Sequence, residues 1–365
     1  MATRRRVVHI LGRLYPSGME RMLVSAAPYW QDTGWQAEVI GQGTDHPYAP
    51  DLLSAGYPVN YVRSLRTPAG LGDLARLLRT SRPDVVHIHT EQAHGPISFV
   101  ARVALPTVGL VRTVHSVFRF QGTTIVRRRL QHAMARLTGT LHVAPSWDVA
   151  KNEQENWGLT CQVIENWVAD EFSRDQQNDG PFQSVEAPLR IAMVGNCSKI
   201  KNHQMTLGAA IEVPGVAIVH IGGDSGAPPE ERALVRQLEG ESRLEMMGAR
   251  TDVAEILQDS QIFAMPSLHE GMPVALAEAL CIGLPCIISD APGLQWAARD
   301  PGVLVARSTN DWISVLARLS VDDSFMSSMT SAAHTDRIRQ RERFSACRGV
   351  AEYAAIYAQA AQRRP

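Results

Sequence analysis

The chain reads as an α/β protein of two doubly wound domains, each a parallel sheet covered by helices. Three observations carry that reading. Short apolar runs alternate with longer amphipathic segments over most of the 365 residues, the pattern of strand–helix–strand units packed as a parallel sheet. A polar stretch rich in Asp, Gln, Ser, Gly and Pro interrupts the alternation near Glu171–Ala187, and the pattern then restarts. The length suits two domains better than one core.

Taken in order, the first half predicts strands near residues 6–11, 37–40, 59–62, 85–89, 110–114 and 141–144. Helical patterns between them fall near 20–32, 72–81 and 126–138. The second half predicts strands near 190–194, 216–221, 244–247, 262–265, 285–289 and 303–305. Its helices are expected near 203–211, 230–238, 253–258, 274–281 and 311–319. A closing helix is expected over 339–362. The expected divisions are a first domain 1–171, a linker 172–188, a second domain 189–338 and a C-terminal segment 339–365 that returns to the first domain. Ligands of such sheets bind beyond the carboxyl ends of the strands, so a cleft between two facing sheets is the expected site.

Composition excludes several classes. The net charge is −1, so nothing asks for nucleic acid as a partner. The five cysteines show no metal-ligand spacing and read as reduced thiols in a reducing compartment. The opening apolar run after Arg4-Arg5-Arg6 is about five residues long, too short for a signal peptide. No run reaches the roughly 18 apolar residues of a membrane span. A cytoplasmic protein, at most peripheral on the inner face of a membrane, is expected.

Chemistry concentrates in a few segments. In Pro266-Ser267-Leu268-His269-Glu270-Gly271-Met272-Pro273-Val274 a strand enters a tight loop, and a helix opens with proline at its start. Glu278 is the only charged residue between Gly271 and Ser289, and a carboxylate on so apolar a helix needs a donor. A ligand hydroxyl or a structural arginine would serve. In Val194-Gly195-Asn196-Cys197-Ser198-Lys199-Ile200-Lys201-Asn202-His203, Lys201 stands just before a helix with Asn202 as candidate N-cap, the makings of a phosphate site. Gly18 precedes the first helix, without a Gly-x-Gly-x-x-Gly fingerprint or a P-loop. His115 lies at a strand end, whereas His87 and His89 alternate on a strand and read as structural. From Gln92 to Trp147 there is no acidic residue. The Arg127-Arg128-Arg129 run in that stretch suits either an anionic membrane surface or an ordinary solvated face.

In this order and spacing the segments resemble family 4 of the retaining glycosyltransferases, with the GT-B fold of two Rossmann-like domains. The resemblance runs from Gly18-Met19-Glu20-Arg21 through Asp84–His89, Thr113-Val114-His115 and Val163–Asn166 to Glu270, Glu278 and Gly283-Leu284-Pro285. It implies transfer of a hexose or related sugar from a UDP-sugar or GDP-sugar to a saccharide or lipid-linked acceptor, in surface polysaccharide or glycolipid synthesis, without metal or other cofactor. Glu270 would hold donor-sugar hydroxyls, with the backbone of Gly271, Met272 and Val274 nearby. Glu278 would bind ribose, Lys201 would neutralise the leaving diphosphate, and Gly18, Gly195 and Asn196 would border the phosphates. His115 would sit over the sugar. The chain departs from the pattern at Asn196, where arginine is usual, at Trp167 and Ser17 in place of glycines, and at Gln295 and Trp296, neither of which is acidic. Two other readings are a non-catalytic sugar-nucleotide-binding or scaffolding protein of the same fold and a nucleotide-sugar epimerase.

Overall fold

The computed structural model describes residues 4–117, 122–174 and 188–363. The chain divides into two compact units, 1–169 with 346–365, and 170–345. Of the expected linker, residues 175–187 lie outside the described residues.

The first unit is built on a seven-stranded sheet: β1 (Arg5–Ile10), β2 (Trp35–Gln42), β3 (Val59–Val62), β4 (Val85–Ile88), β5 (Gly109–Thr113), β6 (Leu141–Ala144) and β7 (Cys161–Val163). The order is β3-β2-β1-β4-β5-β6-β7, and every pairing is parallel. Side chains alternate faces along a strand, and β1 uses both. Val7 joins a core with Trp30, Trp35 and Tyr357, while Val8 and Ile10 join another with Leu74, Leu78 and Ile97. Parallel sheets bury both faces, so their strands read as nearly continuous apolar runs.

The second unit repeats the plan with β8 (Leu189–Val194), β9 (Val216–Ile221), β10 (Leu244–Met246), β11 (Ile262–Met265), β12 (Cys286–Ser289) and β13 (Val303–Ala306). Its order is β10-β9-β8-β11-β12-β13, again parallel throughout. Leu189, Ile191 and Met193 bury against the helices Gln204–Glu212 and Thr309–Val321.

The structure adds elements to those read from the sequence: β7 and the helices Ala49–Ser54, His94–Ala104 and Trp147–Trp157. The single closing helix expected over 339–362 is two. Asp323–Arg343 ends at Phe344, which is fully buried and edge-on to Trp296 at 5.4 Å. The chain then turns into Ala346–Gln362, which packs on the first sheet. Trp167 explains that docking: its indole donates to the Met22 carbonyl at 2.9 Å, and its ring lies over Gly349, where a Cβ would come within 2.2 Å. Among the described residues no helix is long and apolar enough to cross a membrane.

Candidate functional site

In each sheet the chain leaves in opposite directions from two central neighbours, β1 and β4 in the first, β8 and β11 in the second. A reversal of this kind opens a crevice at the carboxyl ends of those two strands. The predicted residues of the second unit gather there. β8 runs into Gly195 and Asn196, and β11 runs into Ser267–Glu270.

Lys201 Nζ meets Glu270 Oε1 at 2.8 Å, joining residues 69 apart in the sequence, and Ser267 Oγ donates to the same oxygen at 2.8 Å. Two backbone features hold this pair. Gly195 has φ +140°, and a Cβ there would press to 3.2 Å from Lys201 Cε, so the lysine stem lies across bare backbone. Gly293 has φ +80°, and a Cβ on it would fall 2.1 Å from the Glu270 carbonyl oxygen, so only glycine lets the two loops close. Glu270 N–H in turn donates to Pro292 O at 2.9 Å, and Leu268 N–H to Ile200 O at 2.8 Å.

Asn202 is not the N-cap the sequence suggests. It is in the left-handed region at φ +53° and donates from Nδ2 to Pro266 O at 3.1 Å, while His203 takes the N-cap position of the helix Gln204–Glu212 without a side-chain cap bond. Its amide is thus used to tie the lysine loop to the end of β11. Asn196, exposed, accepts from Gly223 N–H at 2.8 Å and clamps the loops after β8 and β9.

The helix Val274–Ile282 starts at Pro273, which has no N–H, and no side chain caps its first turn. Amides of a first turn are short of intrahelical partners and favour an anion. Gly271 and Met272 are buried just ahead of it, and Val274 is half-buried. Glu278, one turn further on, is only 5% exposed.

In the first unit Gly18 is exposed as the first residue of the helix Gly18–Ala26, behind Ser17, whose hydroxyl bonds Glu20. His115 ends a chain of imidazoles: His9 Nδ1 to His89 Nε2 at 3.0 Å, and His89 Nδ1 to His115 Nε2 at 3.0 Å. His87, beside them, bonds the hydroxyls of Tyr357 and Thr113 at 2.7 and 2.8 Å. Burial pushes His9 down to about 3 and His115 down to about 4, so both are neutral near pH 7. His115 can therefore offer a polar, uncharged ring.

The arginine run corrects the sequence reading in one respect. Arg127 and Arg129 are exposed, but Arg128 is buried among carboxylates and is not part of any surface. Arg128 meets Glu91 and, at 3.2 Å, Glu153. Arg112 meets Glu91 at 2.8 Å and Glu153 at 3.7 Å. Both acids flank the acid-free stretch in sequence, which is the signal that could have revealed the cluster.

Comparison with known proteins gives two family matches, "Glycosyltransferase Family 4" over residues 16–172 and "Glycosyl transferases group 1" over 188–322. A UDP-Gal:alpha-D-GlcNAc-diphosphoundecaprenol alpha-1,3-galactosyltransferase of Escherichia coli is 28% identical, with 78% of this chain and 79% of that protein covered. A D-inositol 3-phosphate glycosyltransferase of Mycobacterium avium is 33% identical over 65% of this chain and 61% of its own. Among solved structures, Anabaena HepE in complex with UDP and glucose superposes with TM-score 0.81 at 17% identity, covering 97% of this chain and all of that one. WaaG, a glycosyltransferase involved in lipopolysaccharide biosynthesis, gives 0.70 at 16% identity, covering 96% and 99%.

Proposed function

Since the chain belongs to glycosyltransferase family 4 and has the GT-B fold, we propose that it transfers a hexose, with retention, from a UDP-sugar to a lipid-linked saccharide acceptor. The observation that carries the donor half is the Lys201–Glu270 pair at the β8/β11 switch point. A fixed cation there, beside uncapped helix amides, suits a diphosphate whose charge grows as the sugar–phosphate bond breaks. Glu270 then accepts from sugar hydroxyls, Glu278 from the ribose, and His115 presents a neutral imidazole to the sugar. Gly18, Gly195 and the backbone of Gly271, Met272 and Val274 border the donor, and Asn196 holds the loop that does so. The UDP in HepE and the UDP-Gal of the E. coli relative favour uridine, and that relative's diphosphoundecaprenol acceptor favours a lipid-linked one.

Calorimetric titration with nucleoside diphosphates and sugar nucleotides, with and without magnesium, tests this. Binding of one UDP-sugar without metal is expected, and no binding to any donor would overturn it. Glu278→Ala should weaken UDP binding by about 1.5–3 kcal/mol, the worth of a hydrogen bond to a charged group. An unchanged affinity in a variant with unaltered circular dichroism would remove Glu278 from the ribose role.

A lipid-linked acceptor calls for a membrane-facing surface. The helix Thr123–Leu137 exposes Val126, Leu130 and Leu137, which fall within a narrow sector at 3.6 residues per turn, with Arg127 and Arg129 at its sides. The adjacent helix His94–Ala104 exposes Phe99 and Val103. Apolar residues flanked by arginines are the pattern of a peripheral helix on anionic lipid. Replacing Arg127 and Arg129 by Gln should lower partition onto anionic vesicles about thirtyfold at low salt, at about 1 kcal/mol per arginine. Unchanged sedimentation with vesicles would leave this face as ordinary surface.

A further inference from the structure

The second unit brings together four side chains of metal-ligating type that no sequence motif announces. Cys197 follows β8, His203 directly precedes the helix Gln204–Glu212, His220 is on β9, and Glu231 is in the first turn of the helix Pro229–Gly240. All four are buried, with Glu231 fully so. The Cys197 sulfur and one ring nitrogen from each histidine lie within 4.8 Å of one another. Glu231 Oε1 stands 3.7 Å from His203 Nδ1, too long for a hydrogen bond.

Hydrogen bonding accounts for only part of the cluster, the contact of Cys197 Sγ with His220 Nε2 at 3.7 Å. Both Glu231 oxygens, His203 Nδ1 and His220 Nδ1 are buried without a hydrogen-bond partner. A buried carboxylate with no hydrogen-bond donor is among the most expensive groups a fold can hold. His220 Nε2 lies 2.9 Å from Gly195 O. A carbonyl only accepts, so Nε2 carries the proton and Nδ1 keeps a buried lone pair. An imidazole fixed by a backbone carbonyl on one nitrogen and offering the other is the arrangement metal-bound histidines show.

We infer that Cys197, His203, His220 and Glu231 form a structural site for a divalent metal of the zinc class. The donor set is one thiolate, two imidazoles and one carboxylate, a combination that suits Zn(II) and disfavours magnesium or calcium, which take oxygen ligands. A tetrahedron with arms of 2.0–2.3 Å has edges of about 3.3–3.6 Å. The His203 Nδ1–Glu231 Oε1 separation is 3.7 Å, close to such an edge. With all four positions filled by protein, the ion is structural and not catalytic. It would join the loop after β8 to β9 and to two helices, bracing the backbone between Gly195 and His203. The site stands on these residues alone and holds whether or not the donor reading does.

The test is titration of the metal-free full-length protein, prepared with a chelator, with Co(II) followed by Zn(II). One equivalent of Co(II) should give the visible bands of a tetrahedral site and a thiolate charge-transfer band, both bleached by one equivalent of Zn(II). Cys197→Ser should abolish the charge-transfer band, and Glu231→Gln should weaken Co(II) binding at least tenfold while keeping that band. Zn(II) should raise the melting temperature of the wild type more than that of Glu231→Gln at the same metal concentration. Octahedral, thiolate-free Co(II) spectra, or no saturable change in the folded wild type, would overturn the site. Because the decisive spectrum belongs to the wild type, a variant that fails to fold does not rescue the inference.

Discussion

Replacing Lys201 by alanine is expected to lower kcat by about 10²–10³, or about 2.7–4 kcal/mol, the scale for removing one preorganised charge-stabilising group from a transition state. The reasoning begins with what the lysine touches. Its ammonium is half-buried and paired with Glu270 at 2.8 Å. The loop that carries it is anchored without it, through Asn202 to Pro266 O and Leu268 N–H to Ile200 O. The variant should therefore fold, and its loss should be in chemistry. If the lysine acts on the departing diphosphate, kcat and kcat/KM fall together. A rise in KM with kcat unchanged would make Lys201 a ground-state contact only. The pair also predicts coupling. Without Lys201, Glu270 keeps Ser267 as partner but loses its counter-charge, and its carboxylate then repels the diphosphate. Adding Glu270→Gln to Lys201→Ala should thus cost less than the two losses summed. Lys201→Arg is not conservative here, because a planar fork cannot lie across Gly195 as a slender alkyl stem does.

Much of this was legible in the sequence, for physical reasons. Buried parallel strands must be apolar over nearly their whole length, which is why β1, β4, β8, β11 and β12 stand out from Val7-Val8, Val85-Val86, Ile191-Ala192, Phe263-Ala264 and Ile287-Ile288. The residues Gly195, Lys201 and Glu270 were legible because each ends a strand or opens a helix. What failed was local punctuation and three-dimensional pairing. The helix His94–Ala104 is not among those expected; it holds Gly95-Pro96 in its first turn, where proline is tolerated. The two C-terminal helices share helical spacing, so only the burial of Phe344 marks their break. Arg128 looked like surface because its carboxylates, Glu91 and Glu153, lie outside its own segment. Cys197, His203, His220 and Glu231 follow no ligand spacing. They meet because β8 and β9 are neighbours in the sheet, a fact of topology that no local window contains.

The buried ion cluster of the first unit carries the largest expected effect on stability. Arg112 is fully buried, Arg128 nearly so, and Glu153 fully so, while Glu91 is 15% exposed. Two guanidinium groups facing two carboxylates balance in charge, and removing one member strands a buried opposite. Glu91→Gln is therefore expected to destabilise the unit by about 3–5 kcal/mol, measured by urea unfolding. The two acids should not be equivalent. Burial pushes the Glu91 carboxyl up, but Arg112 and Arg128 outweigh it and hold the group below its ordinary value. For Glu153 burial wins over the same two arginines, and the group is held above its ordinary value. Glu91 accepts from both guanidinium groups, whereas Glu153 accepts only from Arg128, at 3.2 Å, with Arg112 standing off at 3.7 Å. Glu153→Gln should accordingly cost clearly less than Glu91→Gln. The pH dependence follows from linkage. A carboxyl with a depressed folded-state pKa contributes stability above its unfolded-state value and loses it as the pH falls through the folded one. The stability gap between wild type and Glu91→Gln should therefore be widest near neutral pH and narrow on acidification through the carboxylate range. Glu153 has the opposite sign: its folded state takes up the proton first, so its unfavourable contribution fades as the pH falls. A gap for Glu91→Gln that stays constant from pH 7 to pH 4, or a Glu153→Gln loss as large as that of Glu91→Gln, would mean that the cluster is held by packing and that its charges are screened.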